Sequence, residues 1–496
     1  MRGAAGLLLL LALAGCRTGA VGPAAPIGPA RALAAIVDAG PFGGAQWGVL
    51  AVDLTTGDTL LARAPATRFI PASTMKIATT VAALELLGAD YRWRTELWAA
   101  GAVDAASATL AGDLVVPGTG DPSLSERFWT EPPPPLDLLA SAAPENGIRR
   151  VTGALVIDAS RWDSSTVRAS WMVDDLPFDY GATGGAFTLA EGETRVEVRG
   201  GGAPNDPAAV EWWPKGEDGF VVSRVRTVAD GATAVSASYL PESRVLELTG
   251  TVAVGRVDTL AFATRDPVRQ SAAALHRALA AQGVVVEGGW RIEWDAGVSF
   301  GPDCVTGATP PCAGARLLRG LGSPPLIDIV AGVLGPSQNW IAEQLVRSLA
   351  PAGARARWNE GTAAAARALE ERVGVVPLDV RMMDGSGLSV QDLVTPRALV
   401  QMLRHARAQP WGAAFHAALP QPGDEGSTLE SRLTDLGDRL SAKTGTLTNV
   451  STLAGYLVDE RGREIAFAVM VNASNLPGAT VREGIDAVVR LLAARR

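Results

Sequence analysis

The chain has 496 residues, 47% hydrophobic and 19% charged, with a formal net charge of -8. That is ample for a large core divided into two or three domains, and the acidic balance argues against a nucleic-acid-binding surface. Basic residues are almost all arginine, the lysines being Lys76, Lys215 and Lys443 alone. His276, His405 and His416 are far apart and form no ligand pattern, so a zinc centre or a Ser-His-Asp triad has little to draw on. His405 and His416 read as surface or packing residues.

At the start of the chain, Arg2 and the apolar run Leu7–Leu13 precede Leu13-Ala14-Gly15-Cys16. The run is far below the roughly 20 apolar residues that span a bilayer, so residues 1–15 read as an export signal. The tetrapeptide resembles the lipobox of bacterial lipoproteins. That resemblance implies cleavage before Cys16 and a lipid on the new N-terminus, hence a membrane anchor. Arg17 stands where a retention aspartate sits in some bacterial lipoproteins, which implies the periplasmic side of an outer membrane. Residues 16–30, rich in Gly and Pro, read as a flexible tether.

Arg31–Val37 reads as a short helix, and Trp47–Leu54 with Thr59–Ala62 as a hairpin. A helix is expected from Pro71, with Ile77, Val81 and Leu84 on an apolar stripe and Gly88 as its stop. From residue 92 to 262 short β-branched runs recur between Gly and Pro turns, which predicts an inserted β-rich region, divided into two small domains. Helical texture returns at Asp266–Gln282. Strands at Ser451–Val458 and Glu464–Val471 and a closing helix at Val481–Ala494 complete the chain. The expected fold is α/β, an antiparallel sheet flanked by helices, built from residues 31–91 and 263–496 and interrupted by residues 92–262. Cys304 and Cys312 close a short loop containing Gly and Pro. They would pair as a disulfide in an oxidising compartment, with free thiols as the alternative.

Three short patterns carry chemistry. Ser73 and Lys76 are three apart, so on a helix they stand one above the other, and a lysine that is neutral part of the time can take the serine proton. Lys443-Thr444-Gly445-Thr446 precedes a strand. Its glycine allows close approach of backbone to ligand, and Thr444 and Thr446 share a face that can meet a carboxylate. Between them, Ser337-Gln338-Asn339 opens a helix, where such triplets commonly serve as caps. Two of the three lysines fall in these patterns. That points to an amine that arginine cannot replace, because guanidinium does not deprotonate to act as a base. Lys215 reads as a surface turn.

In this order the three motifs resemble those of the penicillin-recognising serine enzymes, with a transpeptidase-like (β-lactamase-like) fold. Gly112-Asp113-Leu114-Val115-Val116-Pro117-Gly118-Thr119-Gly120-Asp121-Pro122, Gly153-Ala154-Leu155-Val156-Ile157-Asp158 and Asp384-Gly385-Ser386-Gly387-Leu388-Ser389 narrow the resemblance. They are similar to peptidase family S13, the D-Ala-D-Ala carboxypeptidases and endopeptidases of the penicillin-binding protein 4 (DacB) type. Gln338 takes a position where that family usually has Asp, and its side chain is expected to face away from the reaction.

The resemblance implies acyl transfer on peptidoglycan peptides ending in D-Ala-D-Ala or joined through D-Ala cross-links, with β-lactams as covalent inhibitors and no metal or organic cofactor. Ser73 is then the nucleophile and Lys76 its base. Ser337 relays a proton, Asn339 orients Lys76 and the substrate amide, and Lys443 helps to keep Lys76 deprotonated. The backbone N–H groups of Ser73 and Thr446 would hold the oxyanion, and Thr444, Gly445 and Thr446 would receive the substrate. A β-lactamase or esterase of the same fold, or a non-catalytic peptidoglycan-binding lipoprotein, are the alternatives.

Overall fold

The computed structural model describes residues 28–38, 40–239, 243–295, 315–351 and 354–494. The export segment, the tether as far as residue 27, Cys16, Cys304 and Cys312 lie outside the described residues.

The two ends of the chain meet in one antiparallel sheet of five strands. Its order is Leu440–Leu447, Val450–Val458, Glu464–Asn472, Gln46–Asp53 and Thr59–Arg63. Trp47 pairs with Val471 and Val49 with Val469, so an N-terminal strand lies beside one of the last elements of the fold. Side chains alternate across this sheet as strand geometry requires. Leu453, Phe467 and Val469 face a core shared with the helices Pro29–Val37 and Gly478–Ala493. Ala454, Tyr456 and Ala468 face the opposite core, built around the helices Met75–Leu87, Asn339–Ser348 and Pro396–Ala408.

Met75–Leu87 is buried on every side from Met75 to Leu84, rather than along one stripe. A helix apolar all round belongs inside a large core, and this one is covered by sheet and helices together. Gly88, at φ 89°, ends it as expected.

The inserted region has two cores of its own. One lies between a seven-stranded sheet, centred on Arg94–Asp104 and Thr109–Pro117, and the helices Pro135–Glu145 and Pro267–Ala281. The other holds Val196, Phe220, Leu248 and Phe262 between a three-stranded and a four-stranded sheet.

The return to the first core comes later than residue 263. Leu275 and Leu279 of Pro267–Ala281 pack in the core of the inserted region, and Arg316–Gly322 pairs with Arg94–Asp104. Ala182 and Ala263 touch the first core, but a sustained run of buried side chains rejoins it at Leu326. The periodicity of a helix shows that it has an apolar face, not which core that face meets.

Candidate active site

Ala72–Thr74 forms a single 3-10 turn that runs directly into Met75–Leu87. Ser73 therefore sits one turn ahead of Lys76, half-buried, while Lys76 is fully buried. Lys76 Nζ lies 2.9 Å from Ser73 Oγ, 2.6 Å from Asn339 Oδ1 and 2.8 Å from the carbonyl of Ser386. Three acceptors match the three hydrogens of an ammonium, and in the neutral amine one lone pair is left to take the Ser73 proton. Burial is the main force on this amine. It brings the Lys76 pKa down to about 7, against the pull of Asp384, Glu343 and Asp392, which favour the charged form.

The strand Leu440–Leu447 closes over the same turn. A Cβ on Gly445 would stand 2.2 Å from Thr452 Oγ1, 2.7 Å from the Pro71 carbonyl and 3.0 Å from Ser73 N, so only glycine fits there. Thr452 Oγ1 donates to the Pro71 carbonyl at 2.8 Å and ties the second strand to the turn. Lys443 is fully buried, and its Nζ donates to the Thr444 carbonyl at 3.0 Å. Its pKa falls well below the usual lysine range, first by burial and then by repulsion from Lys76. The neutrality of Lys76 thus comes mainly from burial, where the sequence suggested the charge of Lys443. Thr444 Oγ1 donates to Thr428 Oγ1 at 2.7 Å, which adds a third hydroxyl beside the strand.

Ser73, Ser337, Asn339 and Thr446 open together into a cleft of about 360 Å3, with Met172, Asp175 and Tyr180 of the inserted region on one wall. All three sequence motifs contribute to that cleft. Lys215 lies elsewhere, paired at the surface with Glu211 at 2.7 Å and resting over Trp212. His405 pairs with Glu85 and His416 packs edge-on against Tyr456, which are the surface and packing roles expected of them.

Residues 30–495 match the model of the D-Ala-D-Ala carboxypeptidase 3 (S13) family. The chain belongs to this family. A D-alanyl-D-alanine carboxypeptidase of Actinomadura sp. is 31% identical to it over 460 residues, covering 89% of this chain and 80% of the relative. The crystal structure of penicillin binding protein 4 (dacB) from Haemophilus influenzae matches with a TM-score of 0.75 at 23% identity, over 93% of this chain and 97% of that one. The same protein complexed with a β-lactam matches with a TM-score of 0.70 at 22% identity, again over 93% and 97%. The fold is therefore that of the penicillin-recognising serine enzymes.

In this member of the family the floor of the cleft rests on three buried carboxyl groups that the sequence reading did not assign. Glu343 accepts from the backbone N–H groups of Gly385 and Ser386 and from Trp358 Nε1. Asp384 accepts from Gly387 N, Ser389 N and Trp171 Nε1. Asp392 accepts from Met383 N at 2.6 Å, and burial beside Asp384 pushes its pKa well up. Together they fix the loop whose Ser386 carbonyl holds Lys76. One signal was present. Asn339, Glu343 and Arg347 recur every four residues and are all buried, so one helix face is polar where a core helix should be apolar. The inserted region also reaches the amine through Asn339, whose Nδ2 donates to the Tyr180 carbonyl at 2.7 Å. One amide hydrogen of Asn339 remains for a ligand.

Proposed function

We propose that this protein is a serine-type D-Ala-D-Ala carboxypeptidase acting on peptidoglycan stem peptides, and that the same acyl transfer cleaves D-Ala cross-links. One observation carries this reading: Lys76 Nζ stands 2.9 Å from Ser73 Oγ and is held by Asn339, with Gly445 packed on the same turn. Neutral Lys76 takes the Ser73 proton as Ser73 Oγ attacks the carbonyl of the penultimate D-Ala. The backbone N–H groups of Ser73 and Thr446 stabilise the oxyanion. As the C–N bond breaks, Ser337 gives its hydroxyl proton to the leaving amine and recovers one from the Lys76 ammonium. Thr444 and Thr446 receive the terminal carboxylate, beside Lys443. Water then hydrolyses the acyl-enzyme.

The β-lactam bound to the Haemophilus protein supports covalent inhibition by the same class of compound here. Labelled penicillin should mark the wild-type chain and leave Ser73→Ala unmarked; equal labelling of both would refute the nucleophile. Steady-state turnover of penicillin against that of a D-Ala-D-Ala peptide separates the carboxypeptidase from a β-lactamase, and product analysis on cross-linked muropeptides separates peptide trimming from bridge cleavage.

The first sixteen residues support export and lipidation at Cys16, which would tether the enzyme to the periplasmic face of an outer membrane. Cys16→Ser should release it into the soluble fraction, and a variant still membrane-bound would contradict the anchor.

A further inference from the structure

The middle residue of the central motif makes contacts that the reaction does not use. Gln338 faces away from Lys76, towards the inserted region. Its Oε1 accepts from Trp340 N at 2.9 Å and caps the helix Asn339–Ser348. Its Nε2 donates to Glu191 Oε2 at 2.5 Å and to Glu193 Oε1 at 3.3 Å. Both carboxyl groups are buried, at 2% and 8% exposure. Glu191 is also held by Arg127, through Nε at 2.7 Å and Nη2 at 2.9 Å, and by Ser125 Oγ at 3.0 Å. Glu193 has no such fork. Burial, with Glu191 and Asp179 nearby, pushes it up to about 7, against Gln338 and Arg195.

The backbone on both sides of this contact is strained. Ala190, Glu191 and Gly192 are all left-handed, at φ 53°, 58° and 69°, and a Cβ on Gly192 would stand 2.3 Å from the Thr183 carbonyl. Ser337 is left-handed too, at φ 66°. Conformations of this kind persist only where the surroundings over-determine them, and the Gln338 amide joins the two segments. Its chemistry is specific. A carboxylate at 338 would set a negative group against Glu191 and remove the donor that both glutamates share. An apolar side chain would take away the amide donor that Glu193 Oε1 receives and would leave Glu191 to Arg127 and Ser125 alone.

We propose that Glu191 and Glu193 are positioning residues for Ser337, holding its left-handed backbone through the Gln338 amide so that its hydroxyl meets the leaving nitrogen. This rests on the acyl-transfer reading above, and it places control of the proton relay in the inserted region.

Gln338→Glu isolates the effect, because it keeps the oxygen that caps the helix and replaces only the donor. A peptide substrate needs a proton on its departing nitrogen. A thiolester with the same acyl group does not, since its C–S bond breaks to release a thiolate. Gln338→Glu should therefore lower kcat for the peptide by about tenfold with KM little changed, and leave thiolester hydrolysis within about twofold. Adding Glu193→Gln reverses the hydrogen bond to position 193, while the contact with Glu191 stays unpaired, and should restore peptide hydrolysis in part. Equal loss on both substrates, no loss on either, or no recovery in the double variant would overturn the proposal. If Gln338→Glu does not fold, Glu193→Leu, which adds no charge, should move the same ratio in the same direction, and an unmoved ratio counts against it. Penicillin labelling of the wild-type chain at Ser73 keeps the two claims apart. Without labelling both fall, and with labelling but an unchanged ratio only the positioning role falls.

Discussion

Lys76 and Lys443 are both fully buried amines, yet their surroundings differ. Lys76 has three acceptors around it and three carboxyl groups behind it, whereas the hydrogen bond made by Lys443 goes to the neighbouring carbonyl of its own strand. Burial lowers both pKa values. What separates them is what opposes burial. Around Lys76 the carboxyl groups bring the balance to about 7, where a proton moves easily in either direction. Among the described residues no carboxylate offsets the burial of Lys443, so its amine is ready to gain a proton when a substrate carboxylate arrives. One lysine is set up to exchange a proton and the other to answer an incoming charge.

The largest expected effect tests the first half of that contrast. Lys76→Met keeps the volume and removes the base, and it should slow acylation of Ser73 by labelled penicillin by about a thousandfold. A loss of less than tenfold would mean that another group takes the proton. Lys443→Met should cost less, about ten- to a hundredfold in kcat/KM, and chiefly for ligands that carry the terminal carboxylate. If an amidated ligand suffers equally, the role given to Lys443 is wrong.

The pH dependence gives a finer measure. In the proposed mechanism the neutral form of Lys76 is the active one, so the acylation rate should rise with pH through about 7. Asp384 raises the Lys76 pKa, so Asp384→Asn should move that rise to lower pH. The same variant turns a donor towards either Gly387 N or the pair Ser389 N and Trp171 Nε1, and should lose about 1–3 kcal/mol of stability in denaturant titration. A rise that stays in place, or moves to higher pH, would break the link between the carboxyl groups and the amine. Lys215→Ala is the control, and its penicillin acylation rate should match the wild type.

The candidate site was legible because lysine is scarce in this chain. With three lysines to place, Ser73-x-x-Lys76 and Lys443-Thr444-Gly445 stood out, and the structure brings both to one turn. The carboxyl groups behind them were less legible: Asp384 stands in a motif that narrowed the resemblance and Glu343 on a polar helix face, yet neither pattern marks a group buried behind the amine. Their placement depends on the fold of the loop from Met383 to Asp392, which pattern does not encode. Gln338 was read correctly as facing away, but Glu191 and Glu193, which receive it, lie more than a hundred residues earlier in β-like sequence. Pro267–Ala281 was read as a helix and assigned to the wrong core, since its apolar face fits either one.

The sheet that joins the two ends of the chain has a consequence for how the protein is made. Gln46–Asp53 waits for its neighbour Glu464–Asn472 until nearly everything else has been synthesised. At ordinary ribosomal speeds that is roughly 400 residues, or about 20–80 seconds, with an apolar strand edge lacking its partner. Any factor that shields nascent chains would act in that interval, and changes in the early hairpin should be felt as yield before they are felt as rate.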